Sequence, residues 1–332
     1  MIGRLYIDGN DAYKQYGVYV VQGGWNELIA YPPLKPIDSN DWQEEDGIEP
    51  DLSSPVLNSR EISVKIAISG LYSRFNALIE LLSDGAYHTF ECAYIQRHYK
   101  LRLVSLPNIA VTKVLGTATL KFADDFPLMG YKYATPASNV APSDDYAFDG
   151  TKFTDYGVRI LKGTLDEVMK TPTVKTNLLR NIGTKSGALY DGKDVRYKSK
   201  DVKIYCLLRA KTLDELWRNY DALLYDLIRP EERTLEVDEN EYPFHYKSCQ
   251  VSDFYPDGKI WLQFVLTVTF TRAFNVSDDI VLASEDNVVI FTEDGQFAIE
   301  MLPNRFAYPT LRLADNRETI RLTADGSFRF NN

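Results

Sequence analysis

The sequence predicts a β-rich α+β fold: two tandem β-sandwich or barrel domains, each with one packed amphipathic helix, and a small C-terminal β-hairpin segment. Three observations favour this fold class. Residues 16–66 recur as residues 156–206 at a single ungapped offset of 140, and a repeat of this kind indicates a duplicated structural unit. Each copy contains the apolar-polar alternation of a strand, and each strand leads into a helical stripe of apolar residues.

The repeat consists of turn residues and of apolar residues that keep the same phase. Its most compact match aligns Tyr16-Gly17-Val18 with Tyr156-Gly157-Val158, and Asp8-Gly9 recurs as Asp149-Gly150 after a one-residue slip. Further identical pairs are Gly23 with Gly163, Glu27 with Glu167, Pro32 with Pro172, Lys35 with Lys175, Gly47 with Gly187, Asp51 with Asp191 and Ser59 with Ser199. We therefore predict a first domain over residues 1–130 and a second over residues 148–275.

Each copy is expected to contain a strand with one buried face, followed by a helix. The alternating apolar positions are Ile62, Val64, Ile66 and Ile68 in the first copy and Val202, Ile204, Cys206 and Leu208 in the second. Apolar residues at three- and four-residue steps predict helices over 71–82 and 213–227. Thr212 and Glu215 have the spacing of a capping box, and Gly85 is a candidate left-handed stop.

Shorter strands are predicted after each helix. They are Thr89–Tyr94, Lys100–Ser105 and Thr117–Phe122 in the first copy, and Thr234–Val237 and Ile260–Phe270 in the second. Phe122 and Phe126 are matched with Phe270 and Phe274. Residues 131–147, rich in Ala, Pro, Ser and Asp, are predicted to be a linker. Residues 276–332 contain two Asp-Gly turns between strand-like runs, which predicts a hairpin extension.

Composition excludes several classes of protein. A formal net charge of -10 argues against a broad surface for duplex DNA, because such surfaces need clustered Lys and Arg. No run approaches the roughly 18 apolar residues of a membrane span, so no membrane insertion is expected. The first residues lack a signal-peptide pattern. Three widely spaced cysteines, Cys92, Cys206 and Cys249, disfavour a disulfide framework and indicate small buried apolar side chains.

Candidate reactive groups are few and dispersed. His88, His98 and His245 form no close metal-ligand pair, and Cys249 follows His245 on a strand at a spacing too wide for chelation. Two acidic runs, 44–46 and 144–145, offer paired carboxylates or calcium ligands but lack EF-hand spacing, so solvated loops are favoured. Gly23-Gly24, and Gly183 with Gly187, lack the pattern of a phosphate-binding loop. We expect no enzyme activity and no catalytic, cofactor or metal site.

The order of elements found twice resembles the tail-tube-like domain of phage distal tail proteins. The stretches that carry the resemblance are Lys200-Asp201-Val202-Lys203-Ile204-Tyr205, Thr212-Leu213-Asp214-Glu215-Leu216 and Leu223-Leu224-Tyr225-Asp226-Leu227. The resemblance covers residues 7–126 and 148–274. It implies a structural component of a phage or prophage tail. In such a component six of these domains form a ring around a channel, and the ring joins the tail tube to the baseplate or tip.

The duplication departs from the single domain of that family and resembles the trimeric hub proteins of contractile tails. This resemblance implies a ring of three chains with pseudo-sixfold symmetry; a homohexamer is the alternative. The implied partners are further copies of the chain, the tail tube and the baseplate or tip proteins, with DNA only as passing cargo. The implied location is the virion tail, after synthesis in the cytoplasm of the bacterial host.

Two long segments, residues 37–59 and 177–199, are expected to reach across subunits, with ordinary mobile loops as the alternative. A different function, a carbohydrate-binding or adhesion module, is suggested by the 22 tyrosines and the terminal hairpins. An enzyme whose site is assembled across subunits is a third reading of the same chain.

Overall fold

The alternating residues form antiparallel strands in a computed structural model that describes residues 1–112, 115–128, 130–175, 180–181, 183–184, 186–189, 195–237, 240–272, 280–281 and 300–301. We call residues 6–124 the first half and residues 146–270 the second half. The elements of the first half are β1 (Tyr6–Ile7), β2 (Asn10–Asp11), α1 (Ala12–Tyr16), β3 (Val18–Val20), α2 (Asn26–Ile29), β4 (Ser39–Asn40), β5 (Glu49–Pro50), β6 (Arg60–Ser69), α3 (Tyr72–Leu82), β7 (His88–Cys92), β8 (Arg97–Val111) and β9 (Leu115–Asp124).

The second half follows the same order, with a 3₁₀ helix (Phe153–Tyr156) in the place of α1. Its other elements are β10 (Tyr146–Phe148), β11 (Thr151–Lys152), β12 (Val158–Ile160), α4 (Thr164–Met169), β13 (Arg180–Asn181), β14 (Ala188–Leu189), β15 (Lys200–Ala210), α5 (Leu213–Leu227), β16 (Arg233–Val237), β17 (Asn240–Tyr255) and β18 (Ile260–Phe270).

Each half is built on a seven-stranded antiparallel sheet. The strand order is β2-β1-β7-β8-β9-β6-β3 in the first half and β11-β10-β16-β17-β18-β15-β12 in the second. The register agrees as well, since Val18 pairs with Ile68 and Val158 pairs with Leu208. The predicted β-rich α+β class is confirmed, with curled antiparallel sheets and few helices.

The core of each half lies between one face of its sheet and its longest helix. The predicted alternation is observed, because the four apolar positions of β6 and the four of β15 are all buried. Helix α3 contributes the buried residues Phe75, Leu78 and Leu82, and α5 contributes Tyr220, Leu223 and Leu227 at an offset of 145. Burying one such side chain contributes roughly 1.5–3 kcal/mol.

The helix boundaries follow the predicted signals in α5 more closely than in α3. The Thr212 hydroxyl accepts a hydrogen bond from the backbone N–H of Glu215 at 3.1 Å. The Glu215 carboxylate in turn accepts from the N–H of Lys211 at 2.9 Å. Helix α3 ends at Leu82, so Gly85, with φ of +79°, turns the chain after the helix rather than stopping it.

Two sequence expectations need correction. Strand β17, 16 residues long, was not predicted, because register shifts at Tyr246/Ser248 and Val251/Asp253 interrupt its alternation. The match of Phe122 with Phe270 is also wrong by two residues. Ile62 pairs with Phe122, and its counterpart Val202 pairs with Val268, so Phe122 corresponds to Val268. Val268 and Phe270 lie on the same face of their strand because they are two positions apart, so the buried face was predicted correctly although the matched residue was not.

The two halves lie in one compact unit, Met1–Phe274, and residues Asn275–Asn332 form a second. In the second unit, β19 (Ile280–Val281) pairs antiparallel with β20 (Glu300–Met301). The hairpins predicted around Asp294-Gly295 and Asp325-Gly326 lie outside the described residues. None of the helices in the described part of the chain is long and apolar enough to cross a bilayer.

Candidate functional site

The residues considered as reactive groups do not converge in the structure. In the described ranges, no three His, Cys, Asp or Glu side chains are placed to hold a metal ion. All three cysteines are buried and unpaired, and burial raises the pKa of the Cys249 thiol to about 12. Nδ1 of His245 lies 3.1 Å from the carbonyl oxygen of the adjacent Tyr246, and burial lowers the pKa of His245.

His88 has a structural partner that recurs in the other half. Its Nδ1 lies 2.6 Å from the carboxylate of Asp8, in the first Asp-Gly turn. The corresponding strand position of the second half is Arg233, whose Nη1 donates to Asp149 at 2.7 Å. Both aspartates have φ of +47°. A basic side chain therefore holds each Asp-Gly turn against the neighbouring strand.

An extensive set of polar contacts lies where the first half meets the second, and we call this region the junction. Its first component is the loop of residues 41–48, which extends from the first half onto the second. Lys175 of the second half lies beneath this loop with its side chain only 1% exposed. Its ammonium donates to the carbonyl oxygens of Trp42 at 2.6 Å and Gly47 at 2.8 Å, and to the carboxylate of Asp41 at 2.6 Å.

Burial of the Lys175 ammonium is expensive unless each of its three protons has an acceptor. The loop supplies all three acceptors, and two of them are backbone carbonyls whose positions depend on the loop conformation. The contact therefore fixes the position of the Lys175 ammonium and the path of the loop.

Backbone hydrogen bonds extend the loop onto the second half. The N–H of Gly47 donates to the carbonyl of Tyr197 and that of Ile48 to the carbonyl of Thr271, both at 2.8 Å. The N–H of Tyr197 donates to the carboxylate of Asp46 at 2.7 Å. One acidic run of the sequence thus contributes to the junction. Gly47 has φ of +75°, and a Cβ there would lie 1.7 Å from the Thr271 oxygen, so only glycine fits.

Stacked aromatic rings form the second component of the junction. Tyr31 of the first half stacks on Tyr220 of α5 with ring centroids 3.9 Å apart, and its hydroxyl donates to the Tyr220 carbonyl. The Tyr220 hydroxyl returns a bond to the carbonyl of Ile29 at 3.1 Å. Close by, the N–H of Leu34 donates to the carbonyl of Lys247 at 3.1 Å. Every buried hydroxyl in this group has a partner, which makes the contact specific as well as apolar.

An ion pair on α5 forms the third component. Arg97 of β8 makes two bonds to the carboxylate of Asp221, at 2.8 and 2.5 Å, and its guanidinium lies 4.1 Å from the centre of the Trp217 ring. Burial alone would lower the pKa of Arg97, but the Asp221 carboxylate overcomes burial and raises it. The Trp217 indole donates to the Ile95 carbonyl at 2.7 Å. Paired, bidentate geometry of this kind is favourable in partly buried sites.

Residues 130–143 lie along the remaining face of α5. The Asn219 side chain exchanges hydrogen bonds with the backbone of Ala137, both at 3.0 Å. The buried carboxylate of Asp226 accepts from the hydroxyls of Tyr156 at 2.6 Å and Tyr133 at 3.2 Å. The predicted linker segment is thus attached to the second half by polar contacts.

A cavity of about 220 Å³ opens beside these contacts. Two ion pairs line it, Arg60 with Asp124 at 3.0 Å and Arg97 with Asp221. Arg60 also donates to the Leu28 carbonyl at 2.9 Å, so it fastens the end of α2. The arginines are occupied by structural contacts, and the cavity belongs to the junction.

Comparison with known proteins gives matches among solved structures. No family model and no curated protein matches the chain. A solved structure that is similar is that of the SPP1 Dit (gp 19.1) protein, titled a paradigm of the hub adsorption apparatus in phages that infect Gram-positive bacteria. It is 13% identical, covers 81% of this chain and 98% of its own, and superposes with a TM-score of 0.29.

The junction joins two unlike surfaces of two halves with the same topology. The first half contributes α2, the loop 41–48 and the turn before Arg97, and the second half contributes α5, β17 and Lys175. Contacts between unlike surfaces of equivalent units are heterologous, and heterologous contacts propagate from unit to unit.

The junction was not predicted from the sequence, although two of its residues belong to the matched pairs of the repeat. Gly47 and Lys175 match Gly187 and Lys35 in the repeat, but the repeat alone assigns them no contact. Arg97 and Asp221 have no sequence signal, because they are 124 positions apart and each resembles an ordinary surface charge. Residues 41–48 contact the second half of the same chain, and the predicted contact of residues 37–59 and 177–199 with another subunit stays a prediction.

Proposed function

We propose that the chain is a non-catalytic structural component of a phage or prophage tail, a distal tail or baseplate hub protein that forms a pseudo-sixfold ring around a channel. The observation that carries the proposal is the heterologous junction between two halves of the same topology. An internal duplication accounts for this topology, with each half serving as one unit of the ring.

The proposed ring contains three chains, and therefore six units, with a homohexamer as the alternative. Its contacts between chains are expected to involve side chains and loops rather than strand addition, since β2, β3, β11 and β12 are only two or three residues long and leave little unpaired backbone. The net charge of -10 suits a channel through which DNA slides without binding. The proposed partners are the tail tube on one side and baseplate or tip proteins on the other, in the virion tail.

Light scattering coupled to size exclusion, followed by negative-stain imaging, tests this function. The proposal predicts particles of three or six chains, with a central hole and six repeated densities. Monomers at every concentration tested, with no ring in the images, would contradict it. Co-assembly with tail tubes from the same phage would then place the ring at the tube end, whereas binding to host glycans without ring formation would favour the adhesion module.

A further inference from the structure

We infer that the second half of one chain docks on the first half of another chain through the counterparts of the two surfaces that meet at the junction. The partner is a second copy of this chain. This inference rests on the proposed ring and assigns the residues that close it.

The surface of the first half that contacts α5 and β17 is buried within the chain. The equivalent surface of the second half is exposed. Ile29 of α2 is 4% exposed, and its carbonyl binds Tyr220. Its counterpart at an offset of 140 is Met169, which is 58% exposed. Leu34, half-buried and bonded to Lys247, corresponds to Val174, which is 40% exposed. We call Leu165, Met169 and Val174, three exposed apolar residues of the second half, the docking strip.

The surface that receives the first half shows the opposite contrast. On α5, Trp217 is 6% exposed because Ile95 and Arg97 cover it, whereas its counterpart on α3, Tyr72, is 41% exposed. The preceding residues differ more, with Leu216 fully buried and Leu71 65% exposed.

A bulge locates the third residue of this surface. Lys247, which accepts the bond from Leu34, is the extra residue between Tyr246 and Ser248 of β17. The matching bulge in β8 lies between Leu103 and Ser105, so its extra residue is Val104, which is 39% exposed. We call Leu71, Tyr72 and Val104 the receiving patch. Lys35, the exposed counterpart of Lys175, follows Leu34 in the first half.

Exposed apolar residues on both surfaces are costly for an isolated chain and are expected where a partner covers them. In the described part of each chain, the docking strip and the receiving patch correspond to the two unlike sides of one contact. When the docking strip of one chain binds the receiving patch of another, the contact repeats the internal junction. Repeated contacts of this kind close a ring when the rotation from one unit to the next is a whole fraction of a full turn.

The contact between chains is expected to be weaker than the internal junction. Its counterparts of Tyr31 and Tyr220 are Thr171 and Phe75, so the tyrosine stack and its hydroxyl bonds are absent. Dilution should therefore separate chains while leaving each internal junction intact.

Cysteine cross-linking tests the assignment. The backbones of Leu34 and Lys247 are joined by a 3.1 Å hydrogen bond, so their counterparts should be adjacent across chains. The variant carries Val104→Cys and Val174→Cys; the native cysteines are buried. After mild oxidation of the assembled protein, non-reducing gels should show covalent dimers and a limiting species of three chains, or of six in the hexamer alternative.

The control pairs Leu115→Cys with Val174→Cys. Leu115 is 61% exposed but lies six residues along β9 from the partner of Ser105, roughly 20 Å away, and should give no ladder.

A second variant measures the association itself. Tyr72→Glu places a charge in the receiving patch and should weaken association about tenfold or more, with the thermal midpoint of the monomer unchanged. If rings form but the Val104 and Val174 cysteines do not cross-link, or Tyr72→Glu assembles normally, the docking assignment is wrong while the proposed function stands. If the wild-type chain forms no oligomer, both are wrong.

Discussion

At the scale of single residues, the junction depends on residues that are held by contacts between the halves, whereas the equivalent residues of the other half are exposed. Lys175 and Lys35 occupy equivalent positions, yet the first is buried with three acceptors and the second is exposed. Gly47 touches the backbone of Thr271, whereas a Cβ on its counterpart Gly187 would meet nothing within 4 Å. Such pairs separate the effect of the contact from the effect of the residue type.

Lys175→Met is expected to destabilise the chain by about 1–3 kcal/mol, because two carbonyls and the Asp41 carboxylate lose their donor. Urea unfolding followed by tryptophan fluorescence measures this change. The matched control is Lys35→Met, which should leave the unfolding free energy of the monomer within about 0.5 kcal/mol of wild type. Equal effects of the two substitutions would show that the junction does not depend on Lys175.

Gly47→Ala is expected to be more damaging than the same change at an open turn. Both Gly47 and Gly258 have positive φ, +75° and +69°, which costs an alanine about 1–2 kcal/mol. Only at Gly47 does the new methyl group overlap a backbone oxygen, which should add about 1–3 kcal/mol. Thermal unfolding of Gly47→Ala and Gly258→Ala measures the difference, and identical midpoints would contradict the observed approach of the loop to Thr271.

His88 should make stability depend on pH. Burial alone would lower its pKa, but hydrogen bonds to Asp8 and Asp84 outweigh burial and raise it. Because the folded pKa exceeds the unfolded value of about 6.5, the stabilisation is complete below that value and is lost as pH rises through the folded pKa.

His88→Arg copies the arrangement of Arg233 with Asp149 and should abolish this pH dependence. Urea unfolding at pH 6 and pH 8 should show a larger loss of stability for wild type than for His88→Arg. The same loss in both proteins would mean that His88 does not bind the Asp-Gly turn in its charged form.

At the scale of elements, the sequence was most informative where one periodicity was uninterrupted. Strand Ile260–Phe270 and helix 213–227 were predicted with their observed bounds, because each keeps its pattern and α5 has a cap. Strands β8 and β17 contain bulges that move side chains to the other face, so their bounds were missed or shortened. The junction required knowledge of which surfaces meet, and contacts over more than a hundred residues leave no local pattern.

Thr212→Ala tests the cap of α5. Losing the bond from the Glu215 N–H should cost about 1 kcal/mol, whereas Thr212→Ser keeps the hydroxyl and should cost much less. Because α5 carries Trp217, Tyr220 and Asp221 of the junction, urea unfolding of the chain measures the loss of the cap. Equal stability of the Ala and Ser variants would indicate that the cap does not contribute.

At the scale of the whole molecule, the two halves differ in what covers them rather than in topology. Helix α5 is covered by the first half and by residues 130–143, while Tyr72 at the start of α3 is exposed. The heterologous junction, together with the exposed counterparts of the surfaces that meet there, is the basis for proposing that each unit is completed by further copies of itself.

The most direct test is a cryo-electron microscopy reconstruction of the assembled protein, refined without imposed symmetry. The expected result is six sheet-and-helix units in a ring, in which junctions within chains alternate with junctions between chains that place Val104 beside Val174. A back-to-back arrangement, in which the same surface of two chains meets across a twofold axis, would contradict it.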